Sequence, residues 1–208
     1  MNHKSKKIIK YIKKNKLSTK IHKYYFVQIV YNVIVLDGIS RAEIIKEEKE
    51  MPNIVLTRID NRLVHGQVAT QWCGTIGANL ILVANDEVAG NKLRQGLMDM
   101  AAPNYAAMRY WTIEKTISTI HKASDKQLIF IVCETPQDVL KLVEGGVPIK
   151  KVNIGNMHMA DGKRQVAGSV AVDDDDVAAF AKLRDLGVEL EIRRVPSEGA
   201  ENIEKLFK

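Results

Sequence analysis

The sequence predicts an α/β fold in which one open, mostly parallel sheet of about six to seven strands has helices on both faces. Short apolar runs, such as residues 128–132, have the length and composition of strands buried on both sides. From residue 51 onward these runs alternate with helical patterns, which is typical of a parallel sheet. No repeat and no linker interrupts the alternation, so residues 51–208 are predicted to form one domain.

The elements are predicted in chain order. Strands are expected at residues 53–57, 80–84, 108–111, 128–132, 151–154, 169–172 and 188–193. Helices are expected to begin at residue 68 and to cover residues 93–102, 112–120, 136–144, 177–186 and 202–207. In the second helix, Leu93, Leu97 and Met100 share one face. Thr135 and Pro136 are suited to begin the fourth helix, which ends at a pair of glycines.

Four consecutive aspartates, residues 173–176, have two interpretations. Four carboxylates are able to bind a metal ion. Acidic residues at a helix start more often accept hydrogen bonds from free backbone N–H groups and complement the helix dipole. Because a long helical pattern follows immediately, the capping interpretation is favoured.

Charge is distributed unevenly along the chain. Residues 1–50 contain 12 Lys and Arg against 5 Asp and Glu, whereas residues 51–208 contain 19 against 20. The net charge of +6 therefore belongs to the first 50 residues, and the domain after them has no basic excess that would favour nucleic acid. The two cysteines, Cys73 and Cys133, lie in apolar surroundings and are too few for a disulfide framework, which fits a reducing compartment.

The first 50 residues are interpreted as a leader outside the domain. Their apolar run at residues 24–36 is shorter than the roughly 20 residues that span a bilayer, and no signal-peptide cleavage site follows it. A helix on a membrane surface is an alternative. Residues 46–50 are all Lys and Glu, whose codons contain only purines, and they directly precede Met51, as in a translated ribosome-binding site. We therefore expect Met51 to be the true start and the leader to be mistranslated, or poorly ordered if it is made. Intact-mass analysis of native protein tests this.

The polar segment between the first strand and the first helix is the most informative part of the chain. Within eight residues it holds two arginines, one aspartate and one histidine, namely Arg58, Arg62, Asp60 and His65. Ligands of open α/β sheets bind at the carboxyl ends of the strands. A helix N-terminus there, with Gly66 and Gln67, favours an anion. Arginines clamp phosphate through paired hydrogen bonds, and a neutral imidazole is a competent nucleophile toward phosphorus. The segment therefore indicates a histidine that accepts and passes on a phosphoryl group. The alternative is a solvated loop with a surface ion pair.

Residues that follow two other strands are expected at the same edge of the sheet. Gly155 and Asn156 follow the fifth strand and are suited to present backbone N–H groups to a phosphate. His158 is a candidate second acid–base group or partner-contact residue. Asn85 and Asp86 follow the second strand and are expected to line the same crevice. The alternatives are an ordinary loop for the first set and a simple turn for the second.

Other side chains receive structural assignments. Trp72 has the spacing of a core residue, His121 that of an exposed helix residue, and Met157 and Met159 are candidate partner contacts. The sequence has no G-x-x-x-x-G-K-[ST] loop, no G-x-G-x-x-G after the first strand and no G-x-S-x-G elbow, which weakens ATPase, dinucleotide-binding and serine-hydrolase interpretations.

The segment at residues 58–68 closely resembles the active-site loop of the EIIB components of the bacterial phosphotransferase system, in the mannose/fructose/sorbose class. Residues 83–86 and 153–158 support this resemblance, which extends from about residue 51 to residue 208. The pairing of residues 155–158 with residues 109–112 looks most like the N-acetylgalactosamine/galactosamine-specific members. The family fold is an open, mostly parallel sheet with helices on both faces.

The resemblance implies a role for each matched position. His65 is the phosphorylated residue, through Nδ1, and Arg62 together with Arg58 neutralises the phosphoryl oxygens. Asp60 either orients the imidazole or holds Arg62, with a backbone carbonyl as an alternative orienting group.

The resemblance also implies the partners. The donor is a phosphohistidine on EIIA, which is charged by HPr. The acceptor is a hexose or amino sugar held by the membrane components EIIC and EIID. No cofactor and no metal ion is implied, and the protein is expected to be cytoplasmic, associated with the inner face of the plasma membrane through EIIC and EIID.

Two other classes of function stay open from the residues alone. The first is a regulatory module that senses an anion or its own phosphorylation without catalysing transfer. The second is a metal-dependent hydrolase that uses His65, His158 and an aspartate, although the spacing of these residues matches no recognised metal motif.

Overall fold

The computed structural model describes residues 51–207, apart from the side chains of residues 67–69. Six parallel strands form the main sheet in the order β3-β2-β4-β1-β5-β8. Their bounds are Ile54–Asp60 (β1), Leu80–Ala84 (β2), Ala107–Trp111 (β3), Ile129–Cys133 (β4), Lys151–Asn156 (β5) and Glu189–Ile192 (β8). The expectation of one open, parallel α/β sheet is thus confirmed. The predictions for residues 1–50 lie outside the described residues.

Six α-helices connect the strands of the described domain, and two short 3₁₀ helices supplement them. The α-helices are Gly66–Ile76 (α1), Asp86–Gly90 (α2), Lys92–Ala101 (α3), Ile113–Thr119 (α4), Pro136–Glu144 (α5) and Asp174–Asp185 (α6). The 3₁₀ helices are Ile120–Lys122 and Ile203–Phe207. No helix of residues 51–207 is long and apolar enough to cross a bilayer.

The helices cover the sheet on both faces, and each face has its own core. On one face, side chains of α1 and α3 pack with alternate residues of the strands, namely Trp72, Cys73, Met98, Ile81, Val83, Phe130 and Val132. On the other face, α4, α5 and α6 contribute Ile113, Val139, Leu142, Phe180 and Leu183. Burying an apolar side chain of this size contributes roughly 1.5–3 kcal/mol, so these two layers fix where each helix lies.

The strand order creates a crevice at the centre of the sheet. β1 and β4 are neighbours, but α1 after β1 packs on one face while α5 after β4 packs on the other. The two connections therefore part at the carboxyl ends of these strands, where open α/β sheets bind their ligands. The segment between β1 and α1 leads into this crevice.

One predicted strand does not join the main sheet. The strand expected at residues 169–172 is β7 (Val170–Val172), which pairs antiparallel with β6 (Arg164–Ala167), a strand that the sequence reasoning missed. β6 was missed because Arg164 and Gln165 are exposed, so the strand lacks an apolar run.

The apolar face predicted for α3 points to solvent. Leu93, Leu97 and Met100 share one face, but they are 77, 61 and 86% exposed. The buried side chains of α3 are Gln95 and Met98. The Gln95 amide donates to the carbonyl oxygens of residues 88 and 89 at the end of α2, so a polar contact turns this face of α3 inward.

The aspartate run begins α6 by capping it. The Asp173 side chain accepts a hydrogen bond from the Asp176 backbone N–H at 2.9 Å, and the Asp176 carboxylate accepts one from the Asp173 backbone N–H. This reciprocal capping box satisfies N–H groups that a helix start otherwise leaves unpaired. Within residues 51–207 no group of three or more His, Cys, Asp or Glu side chains is placed to hold a metal ion.

Candidate active site

The segment that joins β1 to α1 is a tight turn anchored in the core. The Leu63 backbone N–H donates to the Asp60 carbonyl oxygen at 2.8 Å, and Leu63 takes a φ of 57°. This left-handed conformation costs a residue other than glycine roughly 1–3 kcal/mol, and such strain gathers at functional sites. Leu63 and Val64 are both buried in the core below α1, which offsets that cost and fixes where His65 lies.

His65 directly precedes the first turn of α1. Its backbone is extended, and its side chain does not cap the helix. The ring is about one-quarter exposed (25%), and its Nε2 lies 3.3 Å from Oδ2 of Asp60. Because a carboxylate accepts hydrogen bonds, we assign the proton of the neutral ring to Nε2, which leaves the free lone pair on Nδ1. The ring is therefore held by one nitrogen and presents the other as a nucleophile.

Asp60 is the centre of the polar contacts. Its buried carboxylate accepts at Oδ2 from Arg58 (2.9 Å) and His65. At Oδ1 it accepts from the Arg62 backbone N–H (3.1 Å) and, at 3.5 Å, from Asn156. Burial raises the pKa of Asp60, but the hydrogen bond from His65 and the charge of Arg58 outweigh burial, so the pKa lies below its ordinary value. The carboxylate is therefore ionised at neutral pH.

The two arginines occupy different environments. The Arg62 side chain is half exposed (50%), with Nε 3.8 Å from Asp60, so its guanidinium is free to reach a ligand in the crevice. Arg58 is only 1% exposed, because its side chain is buried on the face of the sheet that α1 covers. Burial lowers the pKa of Arg58 and the charge of Asp60 opposes this, so the guanidinium stays charged at neutral pH. The expectation that Arg58 contacts the phosphoryl oxygens does not fit this burial.

The residues of β5 also differ from expectation. Gly155 lies inside the strand and packs against the Arg58 guanidinium, so it does not form a phosphate loop. Asn156 ends β5 and contacts both Asp60 and, at 2.9 Å, Nε2 of His158. His158 is exposed, and its backbone N–H donates to Oδ1 of Asn61 at 2.6 Å. Asn156 and His158 therefore do lie at the same sheet edge as His65.

Asn85 and Asp86 serve as caps. Asn85 is buried and accepts a hydrogen bond from the Val88 backbone N–H at 2.9 Å, so it begins α2 where the sequence indicated only a turn. Asp86 accepts from the Ile113 backbone N–H at 2.8 Å and so fixes the start of α4. The backbone contacts of both oxygens match the structural alternative better than a phosphate contact.

Three site residues received no role from the sequence. Asn153 donates to the Arg193 carbonyl and accepts from Arg58. Asn61 donates to the Glu134 carbonyl at 3.0 Å, and the Glu134 carboxylate accepts from Asn85 at 2.7 Å. These contacts link the ends of β1, β4 and β2. The available signal was positional for two of them, because Glu134 lies close after a predicted strand and Asn153 is a polar residue within an apolar one. Asn61 directly follows β1, whose end was predicted three residues too early.

The remaining assignments are decided by burial. Trp72 is 5% exposed, as expected for a core residue, and its indole N–H donates to the Arg194 carbonyl at 3.2 Å. His121 is exposed, as expected. Met159 is 57% exposed, whereas Met157 is 2% exposed, so the expectation that Met157 contacts a partner is wrong. Met157 is turned inward because it bridges to Val170 of β7.

The fold and the geometry define a class of site: an anchored histidine at the start of a helix, beside an exposed arginine, in the crevice of an open parallel sheet. The first-turn backbone N–H groups at Gly66 and Gln67 add positive potential there.

Comparisons with known proteins give the family. The sequence model described as "PTS system sorbose subfamily IIB component" matches residues 54–208. The N-acetylgalactosamine-specific phosphotransferase enzyme IIB component 2 of Escherichia coli K12 is 54% identical over 157 residues, which cover 76% of this chain and all of the relative. The mannose-specific EIIAB component of the same strain is 40% identical over 146 residues, covering 70% of this chain and 45% of the relative.

A solved structure agrees with the sequence matches. The crystal structure of the N-acetylgalactosamine-specific IIB component 1 from Escherichia coli superposes with a TM-score of 0.71 at 51% identity, covering 73% of this chain and 99% of that chain. The chain belongs to the sorbose subfamily of phosphotransferase-system IIB components, which are phosphotransferases of sugar uptake.

Proposed function

We propose that this chain accepts a phosphoryl group on Nδ1 of His65 and passes it to a sugar during uptake. The observation that carries the proposal is the contact between His65 Nε2 and the buried, ionised Asp60 at 3.3 Å. This contact directs the Nδ1 lone pair toward the crevice, where a helix N-terminus and Arg62 supply positive potential.

The transfer step is a displacement at phosphorus. The Nδ1 lone pair forms a bond to phosphorus while the N–P bond of the donor phosphohistidine breaks, and the donor imidazole keeps that electron pair. The Nε2 proton stays on the ring, so the phosphorylated ring gains positive charge, and the Asp60 carboxylate stabilises it. Transfer to the sugar reverses the roles: a sugar hydroxyl oxygen forms the new bond to phosphorus, His65 leaves as neutral imidazole, and the hydroxyl proton is released. Little further protein chemistry is required, because phosphoryl transfer depends mainly on positioning and charge stabilisation.

Arg62 is assigned to the phosphoryl oxygens. Its half-exposed guanidinium has Asp60, 3.8 Å away, as its one ion-pair partner among residues 51–207, so it can move onto a dianionic phosphoryl group. A planar guanidinium donates two parallel hydrogen bonds to such a group. Gly66 and Gln67 add backbone N–H donors, and His158 is the candidate second acid–base or partner-contact residue.

The partners follow from the family. The donor is the phosphohistidine of EIIA, charged by HPr, and the acceptor sugar is held by the membrane components EIIC and EIID. A relative whose printed name joins the A and B components supports an EIIA donor. The relatives with N-acetylgalactosamine in their names favour an amino sugar as substrate. The chain is then cytoplasmic and associates with the membrane through EIIC and EIID.

The test is phosphorylation of the full chain by phosphoenolpyruvate, enzyme I, HPr and a matching EIIA. Wild-type protein should acquire acid-labile, base-stable label that is lost to the sugar when membranes containing EIIC and EIID are added. His65→Ala should acquire none, whereas His121→Ala, which removes an exposed histidine on the β3–β4 connection, should label like wild type. Label that is retained in the presence of sugar would favour a phosphorylation sensor. No label from a charged EIIA would refute the carrier function.

A further inference from the structure

Arg58 is a buried cation whose burial the fold supports at a cost. Its guanidinium donates to Asp60 at 2.9 Å, to Asn153 and to the Arg193 carbonyl at 3.3 Å, and the Trp72 ring centroid lies 5.5 Å from Cζ. Its Nε–H is buried and has no hydrogen-bond partner among the described residues. An unpaired buried donor costs about 1–3 kcal/mol, and a buried ion pair is a poor source of stability. Because burying Arg58 adds little or nothing to stability, we look for its role in the site.

Gly155 provides the space that this guanidinium occupies. A Cβ built on Gly155 would lie 1.8 Å from Cζ of Arg58 and 1.9 and 2.1 Å from its two terminal nitrogens. Real Cβ atoms do not approach other atoms this closely, and the obstructing atoms belong to a buried guanidinium whose two terminal nitrogens are held by hydrogen bonds. The glycine is therefore required by the side chain of Arg58 and not by a turn, because Gly155 lies inside β5.

Arg58 reaches the reacting histidine through one carboxylate oxygen. Oδ2 of Asp60 accepts from both Arg58 and His65, while Oδ1 accepts from the Arg62 backbone and from Asn156. The rotamer of Asp60 is thus fixed from two sides, and its negative charge is matched by a cation that solvent cannot reach. Since Nε2 of His65 is held by the same oxygen, the position of Arg58 determines how that ring is held.

We propose that Arg58, on the space left by Gly155, is a positioning residue that holds Asp60 ionised and in place, so that His65 keeps its proton on Nε2 and its lone pair on Nδ1. This inference rests on the proposed function of His65. It assigns Arg58 to the support of the nucleophile, and it makes Gly155, inside β5, a determinant of the site through the space that it leaves for Arg58.

Arg58→Met tests the role of the charge. Methionine fills much of the same volume but lacks Cζ and the two terminal nitrogens, and Arg58→Lys restores a cation without the planar fork. The first readout is the ring ¹⁵N and N–H spectrum of the unphosphorylated full chain, with the His65 signals assigned from their loss in His65→Ala. The second is the rate of labelling by charged EIIA.

Wild-type protein should show His65 protonated on Nε2 with a resolved ring N–H signal. Arg58→Met should lose that signal to exchange with water and should label at least about tenfold more slowly, because a misplaced nucleophile loses that much or more. Arg58→Lys should recover part of both. A folded Arg58→Met that keeps the wild-type ring signal and labelling rate would overturn the inference, as would wild-type His65 protonated on Nδ1.

Gly155→Ala tests the space. It should lower stability and disturb the His65 ring signal in the wild-type background, but it should add little to Arg58→Met, because the atoms that its Cβ meets are then gone. Gly168→Ala, where a Cβ meets no atom within 4 Å, is the matched control and should leave both readouts unchanged. Additive losses in the double variant would refute the inference that Gly155 makes room for the Arg58 guanidinium. The ring spectrum is recorded without a phosphoryl donor. A wild-type protein that takes no label would therefore refute the proposed function but not the inference about Arg58.

Discussion

Asp60→Asn is expected to lower both the stability of the protein and the rate of transfer. Asparagine keeps the shape of the side chain but removes the charge that pairs with Arg58, which is 1% exposed. Removing one partner of a buried ion pair costs about 3–5 kcal/mol, because the other charge is left uncompensated. One oxygen is also replaced by an N–H₂ group, which cannot accept from Arg58 or His65. We expect the free energy of unfolding to fall by about 3–5 kcal/mol, out of the roughly 5–15 kcal/mol typical of a domain.

Urea unfolding at neutral pH measures this loss, and Asp185→Asn is the control. Asp185 is exposed in the last turn of α6, so its substitution should change the free energy of unfolding by no more than about 0.5 kcal/mol. The labelling rate of Asp60→Asn should fall by roughly 10²- to 10⁴-fold, as when a catalytic histidine loses the carboxylate that orients it. A variant within about 1 kcal/mol of wild type that labels at the wild-type rate would refute the assignment of Asp60.

The same carboxylate predicts a pH dependence of stability. Because the pKa of Asp60 is lower in the folded protein than its ordinary value, the unfolded chain binds the proton more readily. The contribution of Asp60 is therefore fully present above the ordinary pKa of about 3.9 and is lost as the pH falls through the lower folded value. The difference in unfolding free energy between wild type and Asp60→Asn should be largest near neutral pH and shrink in acid. An unchanged difference at about pH 3 would contradict the pKa direction.

Four further predictions concern single sites. Arg62→Lys should slow labelling of His65 without affecting stability, because lysine lacks the planar fork and Arg62 is half exposed; transfer at the wild-type rate would argue against the clamp. Gly96→Ala, in the exposed interior of α3 where a Cβ meets nothing within 4 Å, should raise the free energy of unfolding measured with urea by about 1 kcal/mol. Asp173→Ala should lower it by roughly 1 kcal/mol through loss of the α6 cap, and no change would mean the capping box contributes nothing. Burial raises the pKa of Cys73 to about 11, so a thiol reagent at mildly alkaline pH should modify it far more slowly in folded than in urea-unfolded protein.

Much of the fold was predictable because its central strands β2 and β4 are buried on both faces. The apolar runs of β2 and β4 appear in the sequence almost residue for residue, and Thr135 and Asp173 cap their helices as their residue types indicate. β6 was not predictable in this way, because its first two residues are exposed.

The direction of α3 shows where helical periodicity is insufficient. Leu93, Leu97 and Met100 have the spacing of a core face, yet Gln95 is buried in their place because its amide completes the end of α2. Periodicity identifies which residues share a face, and it does not identify which face is turned to the protein. That choice was made here by a polar contact from Gln95 to the end of the preceding helix, which helical periodicity alone does not encode.

The location of the candidate site was predictable, but the different roles of Arg58 and Arg62 within it were not. The crevice, His65 and Arg62 follow from a polar segment between a strand and a helix. Arg58 was placed in the same loop because the apolar run ends at Thr57, whereas β1 continues to Asp60.

This difference in the end of one strand accounts for most of the errors at the site. In an extended strand Arg58 and Asp60 point to the same side as Leu56, which is buried below α1, so both must be buried as well. β5 likewise continues to Asn156, and its register with β1 places Arg58 beside Asn153 and Asp60 beside Asn156. The two extended strand ends form a polar layer inside the sheet. The carrier role proposed for His65 needs a ring that is fixed within a loop. The ring is held here by the Asp60 carboxylate, which belongs to strand β1 and not to the loop.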